Sequence, residues 1–151
     1  MPIRAEYVHT NLIARDWKKL VRFYSDVFGC DPKPPERDMS GAWLDHLTSL
    51  RDAQLNGVHL RLPGYADDGP TLEIFSYNQL VERELQSANQ CGFGHIAFAV
   101  EDVGEALQAV IAAGGSTVGN IVTTEVDGVG VLRVVYARDP EGNIVELQKW
   151  S

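Results

Sequence analysis

The sequence has little cysteine and no long hydrophobic run. Its two cysteines, Cys30 and Cys91, form neither a CxxC motif nor a zinc-ribbon spacing, which argues against a cysteine-based zinc site and favours reduced thiols in a cytoplasmic protein. No apolar run approaches the roughly 18 residues that a membrane span requires, and the opening MPIRAEYVH lacks the apolar core of a signal peptide. We therefore expect neither membrane insertion nor secretion.

Basic residues are also scarce. The 151 residues include 13 Lys and Arg against 21 Asp and Glu, which gives a formal net charge of −8. Nucleic acids and anionic membranes are bound by clustered positive charge, so we expect neither as a partner. Hydrophobic residues make up 44% of the chain, and a chain of this length buries enough surface to fold without disulfide bonds.

What the sequence does contain is an internal repeat. The stretch VHTNLIARDWKKLVRFYSDVFG (8–29) has the same layout as GHIAFAVEDVGEALQAVIAAGG (94–115) at an offset of 86 residues. Three pairs share that offset: His9 with His95, Asp16 with Asp102, and Gly29 with Gly115. In each stretch the aspartate is suited to cap the start of a helix with an amphipathic stripe. The glycine is suited to end that helix in the left-handed conformation.

The segments that follow each helix predict strands, because apolar and polar residues alternate within them and turn residues separate them. The predicted strands cover residues 57–64, 71–77, 116–126, 131–137 and 143–150. Each half therefore reads as β-α-β-β-β. We predict a single α+β domain over residues 1–151, built from two paired βαβββ modules at about 3–78 and 92–150 that form a curled, open mixed sheet.

The first half carries extra residues between its helix and its last strand. Their obvious host is the segment 31–56, which begins rich in proline and charge. We expect a long loop there, with a short helix around Ala42–Leu50, and loops of that length in compact domains are usually functional or mobile.

Four residues recur at matching places in the two halves. His9 and His95 lie on the opening strands, and Glu73 and Glu146 lie on the closing strands. A lone histidine in an apolar strand is more often a packed residue than a ligand, but charged groups on the inner face of a strand are costly unless paired or coordinated. Two imidazoles and two carboxylates favour a divalent metal ion, and Ni, Zn, Co, Mn, Mg and Fe all suit that set.

These motifs make the chain similar to the vicinal oxygen chelate superfamily, which includes glyoxalase I, methylmalonyl-CoA epimerase, extradiol dioxygenases and the fosfomycin and bleomycin resistance proteins. The resemblance covers nearly the whole chain and is carried by HTNLIARDWKKLVRFYSDVFG, LEIFSY, GFGHIAFAVEDV and YARDPEGNIVELQ. It implies paired βαβββ modules around an open cleft. It also implies a divalent metal ion held by His9, Glu73, His95 and Glu146.

The resemblance implies an enzyme, and the second carboxylate favours proton transfer over oxygen activation. Our hypothesis is a glyoxalase-like lyase, isomerase or epimerase that acts through an enediolate on a small oxo- or hydroxy-compound, with Glu73 or Glu146 as the base. Two alternatives stay open: an Fe(II) dioxygenase that uses two histidines and one carboxylate, and a non-catalytic small-molecule binding or resistance protein.

The substrate itself stays open at this level. Ile13 and Tyr77 stand where the glyoxalase I pattern has an arginine and an asparagine that contact glutathione. Candidate side chains for substrate contact are Trp43, Phe75 and His59. The resemblance further implies a homodimer, whose modules pair either within a chain or between chains.

Overall fold

A computed structural model describes all residues from Met1 to Ser151. They form three helices and nine strands, arranged in two mixed sheets that are not closed into barrels. The α+β class is therefore confirmed. The chain divides into two compact units, Met1–Val81 and Glu82–Ser151.

The first unit contains one four-stranded sheet and two helices. Its elements are β1 (His9–Ile13), α1 (Trp17–Phe28), β2 (Asp31–Ser40), α2 (Ala42–Thr48), β3 (Gln54–Arg61) and β4 (Thr71–Tyr77). The strand order is β1-β4-β3-β2, in which β1 and β4 are parallel and the other neighbours are antiparallel. The last strand of the unit therefore lies between the first strand and the third.

The second unit repeats that topology with one helix. Its elements are β5 (Ile96–Ala99), α3 (Val103–Ala112), β6 (Ser116–Thr117), β7 (Val122–Val126), β8 (Gly130–Arg138) and β9 (Ile144–Trp150). The strand order is β5-β9-β8-β6, and β7 also pairs with β8. The single strand expected near 116–126 is thus two short strands. None of the three helices has the length and apolar character that crossing a membrane would require.

Each long helix covers one face of its sheet with apolar side chains. In the first unit α1 buries Leu20, Val21, Phe23 and Tyr24, and the helix contacts β3 and β4. In the second unit α3 packs on β8 and β9, where the buried strand residues alternate with polar ones. Because side chains on a strand alternate between faces, every second strand residue points to the face opposite the helix.

The helix starts agree with the sequence repeat. The Asp16 carboxylate accepts a hydrogen bond from the Lys19 backbone N–H at 3.1 Å, and Asp102 accepts one from the Glu105 N–H at 2.9 Å. Each aspartate satisfies a backbone donor that the first helical turn leaves without a partner. The two N-caps predicted from the sequence are confirmed.

The helix ends agree in one unit and differ in the other. Gly29 takes a left-handed φ of 71° after α1, as predicted. After α3 the left-handed residue is Gly114, with a φ of 98°, so the prediction that Gly115 has this role is wrong. Gly115 instead donates its N–H to the Val110 carbonyl at 2.9 Å. It completes a Schellman motif one residue beyond the left-handed position.

The segment predicted as a long loop begins with an edge strand. Residues 31–40 form β2, which pairs with β3 on either side of a register shift between Lys33 and Arg37. Pro34 and Pro35 fall within that shift, where no ladder hydrogen bond is required of them. Proline is tolerated at bulges and on edge strands for this reason, and its abundance concealed the strand from sequence reasoning. The short helix expected around 42–50 is confirmed as α2.

The close approach of the chain at Gly115 generates a stability prediction. A Cβ atom there would lie 2.4 Å from the Arg138 carbonyl oxygen and 2.6 Å from Val110 Cγ1. We expect Gly115→Ala to lower the free energy of unfolding by about 1–3 kcal/mol, as overpacked sites do, measured by urea denaturation. Gly119→Ala is the matched control, since no heavy atom lies within 4 Å of its added Cβ. Equal stability of the two variants would contradict the prediction.

The two thiols are expected to differ in reactivity. Cys30 is 2% exposed, and burial raises the pKa of its thiol to about 11, whereas Cys91 is exposed. Because the thiolate is the reactive form, the native protein is expected to show one fast thiol toward Ellman's reagent near neutral pH. Denaturant should expose the second. The Cys91→Ser variant should abolish the fast reaction, and a fast thiol that survives this change would contradict the assignment.

Candidate metal centre

Strand register brings polar side chains together on the face of the first sheet opposite α1. Glu73 lies on β4, and its register partners are Asn11 on β1 and His59 on β3. Directly paired residues point to the same face of a sheet, so the glutamate has a polar neighbour on each side. A central position for β4 is what makes two such neighbours possible.

The carboxylate of Glu73 is buried and well supplied with donors. The side chain of Asn11 donates to Oε1 at 2.8 Å, and His59 Nε2 lies 2.7 Å from Oε2. His9 Nε2 lies 3.5 Å from Oε1. Glu73 is only 9% exposed, and a buried carboxylate without such partners would be strongly unfavourable.

His59 is held at both ring nitrogens. Its Nδ1 lies 2.8 Å from the Thr71 hydroxyl, and its ring meets that of His9 edge-on with 5.4 Å between centroids. Burial lowers the pKa of His59 below 6.5. The negative charge of Glu73 raises that pKa and offsets part of the effect, and nearby positive charges on Arg37 and elsewhere lower it further. The neutral imidazole is favoured as a result.

The second unit carries a matching arrangement. Glu146 on β9 pairs in register with Tyr136 on β8, and His95 Nε2 lies 3.7 Å from Glu146 Oε1. The rings of His95 and Tyr136 are 4.7 Å apart between centroids. Gln148 donates its side-chain N–H to Glu146 Oε2, and Trp150 Nε1 donates to Gln148 Oε1 at 2.7 Å. Tyr136 thus occupies the position that His59 has in the first unit.

The two predicted histidine–glutamate pairs are therefore each assembled inside their own unit. Within the first unit, single ligand atoms of His9, His59 and Glu73 all lie within 4.8 Å of one another. Imidazole and carboxylate are suitable donors for Zn, Ni, Co or Fe. Two atoms bound at about 2.1 Å to one ion lie about 3.0–3.5 Å apart at angles between 90° and 110°, and the His9–Glu73 distance matches that spacing. The side chains present fit a divalent ion.

The three residues predicted to contact a substrate differ in their burial and in their neighbours. Phe75 is buried in a cluster with Leu44 of α2 and Leu55, and its ring centroid is 6.4 Å from that of His59. Trp43 lies on α2 and is 54% exposed. His59 contacts Glu73 directly. Contact of any of the three with a substrate stays a prediction.

Sequence reasoning missed three side chains that surround the glutamates: Asn11, Tyr136 and Gln148. Asn11 and Gln148 each lie two residues from a predicted ligand on the same strand. Side chains two positions apart on a strand point to the same face of the sheet, so this spacing could have identified Asn11 and Gln148 from the sequence. Tyr136 lies on a neighbouring strand, so only the register reveals it.

Comparisons with known proteins agree with this architecture. Residues 6–147 match the family model of the glyoxalase/bleomycin resistance protein/dioxygenase superfamily. The chain is 30% identical over 145 residues to a probable lactoylglutathione lyase of Vibrio parahaemolyticus, covering 93% of this chain and 87% of that one. It is 28% identical over 148 residues to a lactoylglutathione lyase of Haemophilus influenzae, covering 93% and 90%. A glyoxalase family protein from Bacillus cereus has a similar structure, with a TM-score of 0.79 at 18% identity over 99% of this chain and 95% of that one.

The lowered pKa of His59 predicts a pH dependence of stability. The unfolded chain takes up a proton on this ring near pH 6.5, where the folded chain does not. The neutral ring therefore makes its full contribution to the free energy of unfolding above pH 6.5. That contribution is lost as the pH falls through 6.5 toward the lower pKa of the folded state. We expect the free energy of unfolding to fall more between about pH 7 and pH 5 for the metal-free wild type than for His59→Gln.

Urea denaturation with a chelator present measures that difference. His46→Gln serves as the control, because His46 is exposed on α2. This control should keep the wild-type slope. A His59→Gln variant that declines as steeply as the wild type would show that the ring of His59 does not resist protonation.

Proposed function

Because the chain belongs to the glyoxalase/bleomycin resistance protein/dioxygenase superfamily, we propose that it is a divalent-metal-dependent lyase or isomerase acting on a small oxo- or hydroxy-compound. The observation that carries the proposal is the matched geometry of the two units. In each, one glutamate oxygen faces a histidine Nε2, at 3.5 Å for Glu73 and 3.7 Å for Glu146. Lactoylglutathione lyases among the relatives support the lyase class.

The proposed ligands of a single ion are His9, Glu73, His95 and Glu146, supplied by one chain or by two chains of a homodimer. Support comes from the sequence repeat, in which each half contributes one histidine and one glutamate, and from the family. When bound, a divalent ion supplies Lewis-acid polarisation of a substrate carbonyl and balances the negative charge of an enediolate.

The residues of the chain then carry the proton transfer. Glu73 or Glu146 removes the proton alpha to the carbonyl through a carboxylate oxygen, and a carboxylate returns it to the neighbouring carbon or to the opposite face. The donors around each glutamate fix its position, which lowers the entropy cost of reaching the substrate proton. For Glu73 these donors are Asn11 and His59.

The second carboxylate favours this chemistry over a dioxygenase. An Fe(II) oxygenase leaves open positions around two histidines and one carboxylate, and a fourth protein ligand would occupy a position that dioxygen needs. A non-catalytic binder needs none of the four side chains, whereas here each glutamate is held by neighbouring hydrogen-bond donors.

Ile13 and Tyr77 are the residues that bear on the substrate class. Ile13 and Tyr77 replace the polar residues that the glutathione pattern would require. Tyr77 packs against the apolar cluster that contains Leu44, Leu55 and Phe75. Burial, together with the negative charge of Glu73, raises the pKa of Tyr77, so its hydroxyl stays neutral. We therefore propose a small oxo- or hydroxy-compound whose recognition does not depend on a glutathione tail.

Metal titration tests the ligand set. After chelation, the wild type is expected to bind one Co(II) or Ni(II) per chain. His9→Ala and His95→Ala are each expected to weaken that same site by at least about 100-fold, because each removes one ligand. His46→Ala, at an exposed histidine, is the control. Two ions per chain, with one lost in each variant, would contradict a shared site.

Proton exchange tests the reaction. A panel of 2-oxo and 2-hydroxy compounds, with lactoylglutathione included, is incubated in D₂O with the metal-loaded protein, and loss of the alpha-proton signal is followed by NMR. Glu73→Gln and Glu146→Gln are compared, and the variant that lacks the base is expected to slow exchange about 10²–10⁴-fold, since an amide cannot act as the base. The exposed Glu84→Gln is the control.

Two results would favour the alternatives. Oxygen uptake with Fe(II) that survives Glu73→Ala but not His95→Ala would indicate a dioxygenase. A protein that holds no metal, and whose ligand binding survives Glu73→Gln, would indicate a non-catalytic binder.

A further inference from the structure

The two oxygens of Glu73 have different partners. Oε1 faces His9 Nε2 at 3.5 Å and accepts a hydrogen bond from Asn11. Oε2 is contacted by His59 Nε2 at 2.7 Å. Three nitrogens thus surround one carboxylate, although they are not equivalent as metal ligands.

The distances of His9 and His59 from Glu73 show which of the two histidines has the spacing of a metal ligand. Two atoms bound to one ion at about 2.0–2.2 Å lie about 2.8–3.6 Å apart at angles between about 90° and 110°. The His9–Glu73 distance of 3.5 Å falls at the upper end of that range. The His59–Glu73 distance of 2.7 Å falls below it and is typical of a charge-assisted hydrogen bond.

The other ring nitrogen of His59 is also occupied. Its Nδ1 lies 2.8 Å from the hydroxyl of Thr71, a buried residue on β4. When the hydroxyl donates to Nδ1, the neutral ring carries its hydrogen on Nε2 and donates it to Glu73 Oε2. Neither nitrogen then retains a free lone pair for a metal ion.

The second unit holds its glutamate oxygen in the same way with a different residue. The Oε2 atom of Glu146 accepts an N–H from Gln148, whose own Oε1 accepts from Trp150 Nε1 at 2.7 Å. That second bond orients the amide so that its N–H groups point to the carboxylate. An amide N–H cannot bind a metal ion. The feature that the two units share at Oε2 is therefore a donor rather than an extra ligand.

We propose that His59 is a positioning residue: it donates from Nε2 to Glu73 Oε2, excludes that oxygen from the ion, and leaves Oε1 as the only ligand oxygen of Glu73. Gln148 has the same role toward Glu146. The inference rests on the proposed function, since it assigns the part of each glutamate in that metal site. Partners of this kind typically change metal affinity by about 10–100-fold.

Co(II) titration of three variants against the wild type tests the assignment. His59→Gln places an amide N–H near the position of Nε2 and should keep the affinity and the visible absorption spectrum of the wild type to within about threefold. His59→Leu removes the donor and should weaken binding about 10–100-fold. His46→Gln controls for the loss of an exposed histidine, and circular dichroism verifies that each variant is folded.

A second measurement reads the ring directly. In the Zn(II)-loaded wild type, two-bond ¹H–¹⁵N correlation spectra should show His59 protonated on Nε2 and unprotonated on Nδ1. A ring bound to zinc through Nε2 would have no hydrogen on that nitrogen. This result does not depend on any variant folding.

The outcomes separate the inference from the proposed function. Equal loss of affinity in His59→Gln and His59→Leu, or a deprotonated Nε2 in the zinc form, would show that His59 is a ligand and would overturn the inference alone. Unchanged affinity in His59→Leu would also overturn it. A folded wild type that binds neither Co(II) nor Zn(II) would overturn the proposed function and the inference with it.

Discussion

The site of the first unit depends on one constraint: the carboxylate of Glu73 is buried on a strand in the middle of a sheet. Removing a carboxylate from water costs several kcal/mol unless charge and hydrogen bonds compensate it. The strand order β1-β4-β3 meets that demand, because it gives Glu73 a neighbour on each side, Asn11 and His59. The parallel pairing of β1 with β4 also brings His9 close to Glu73. The order of the strands therefore determines which groups compensate the burial of Glu73.

The two units share a geometry without sharing all of its residues. A histidine faces Oε1 of each glutamate, yet the register partner is His59 in the first unit and Tyr136 in the second. The donor to Oε2 likewise comes from a different strand. The first unit also adds α2, whose Leu44 packs with Phe75 on the same sheet face as Glu73. The repeat preserves the histidine–glutamate pair, and the side chains around that pair differ between the units.

Much of the fold followed from local patterns in the sequence. The helices and their aspartate caps were predicted because capping and amphipathic periodicity involve residues only three or four positions apart. The strand over 31–40 was missed because its prolines are typical of loops, and only pairing with β3 around a bulge accommodates them. Gly115 was assigned the wrong conformation for a related reason. Glycine is required at this position because a Cβ atom would collide with the Arg138 carbonyl, which lies on a strand distant in sequence.

The sequence by itself determined that each half would carry one histidine and one glutamate at matching places, because the repeat is visible in the order of residues. Tertiary structure alone decided which atoms meet. Period-two alternation fixes the face of a side chain but not its register partner, and Asn11 contacts a carboxylate 62 residues away. The different surroundings of the two oxygens of Glu73 therefore exist only once β1, β4 and β3 are aligned. Alignment is set by the packing of whole strands, which no short stretch of sequence encodes.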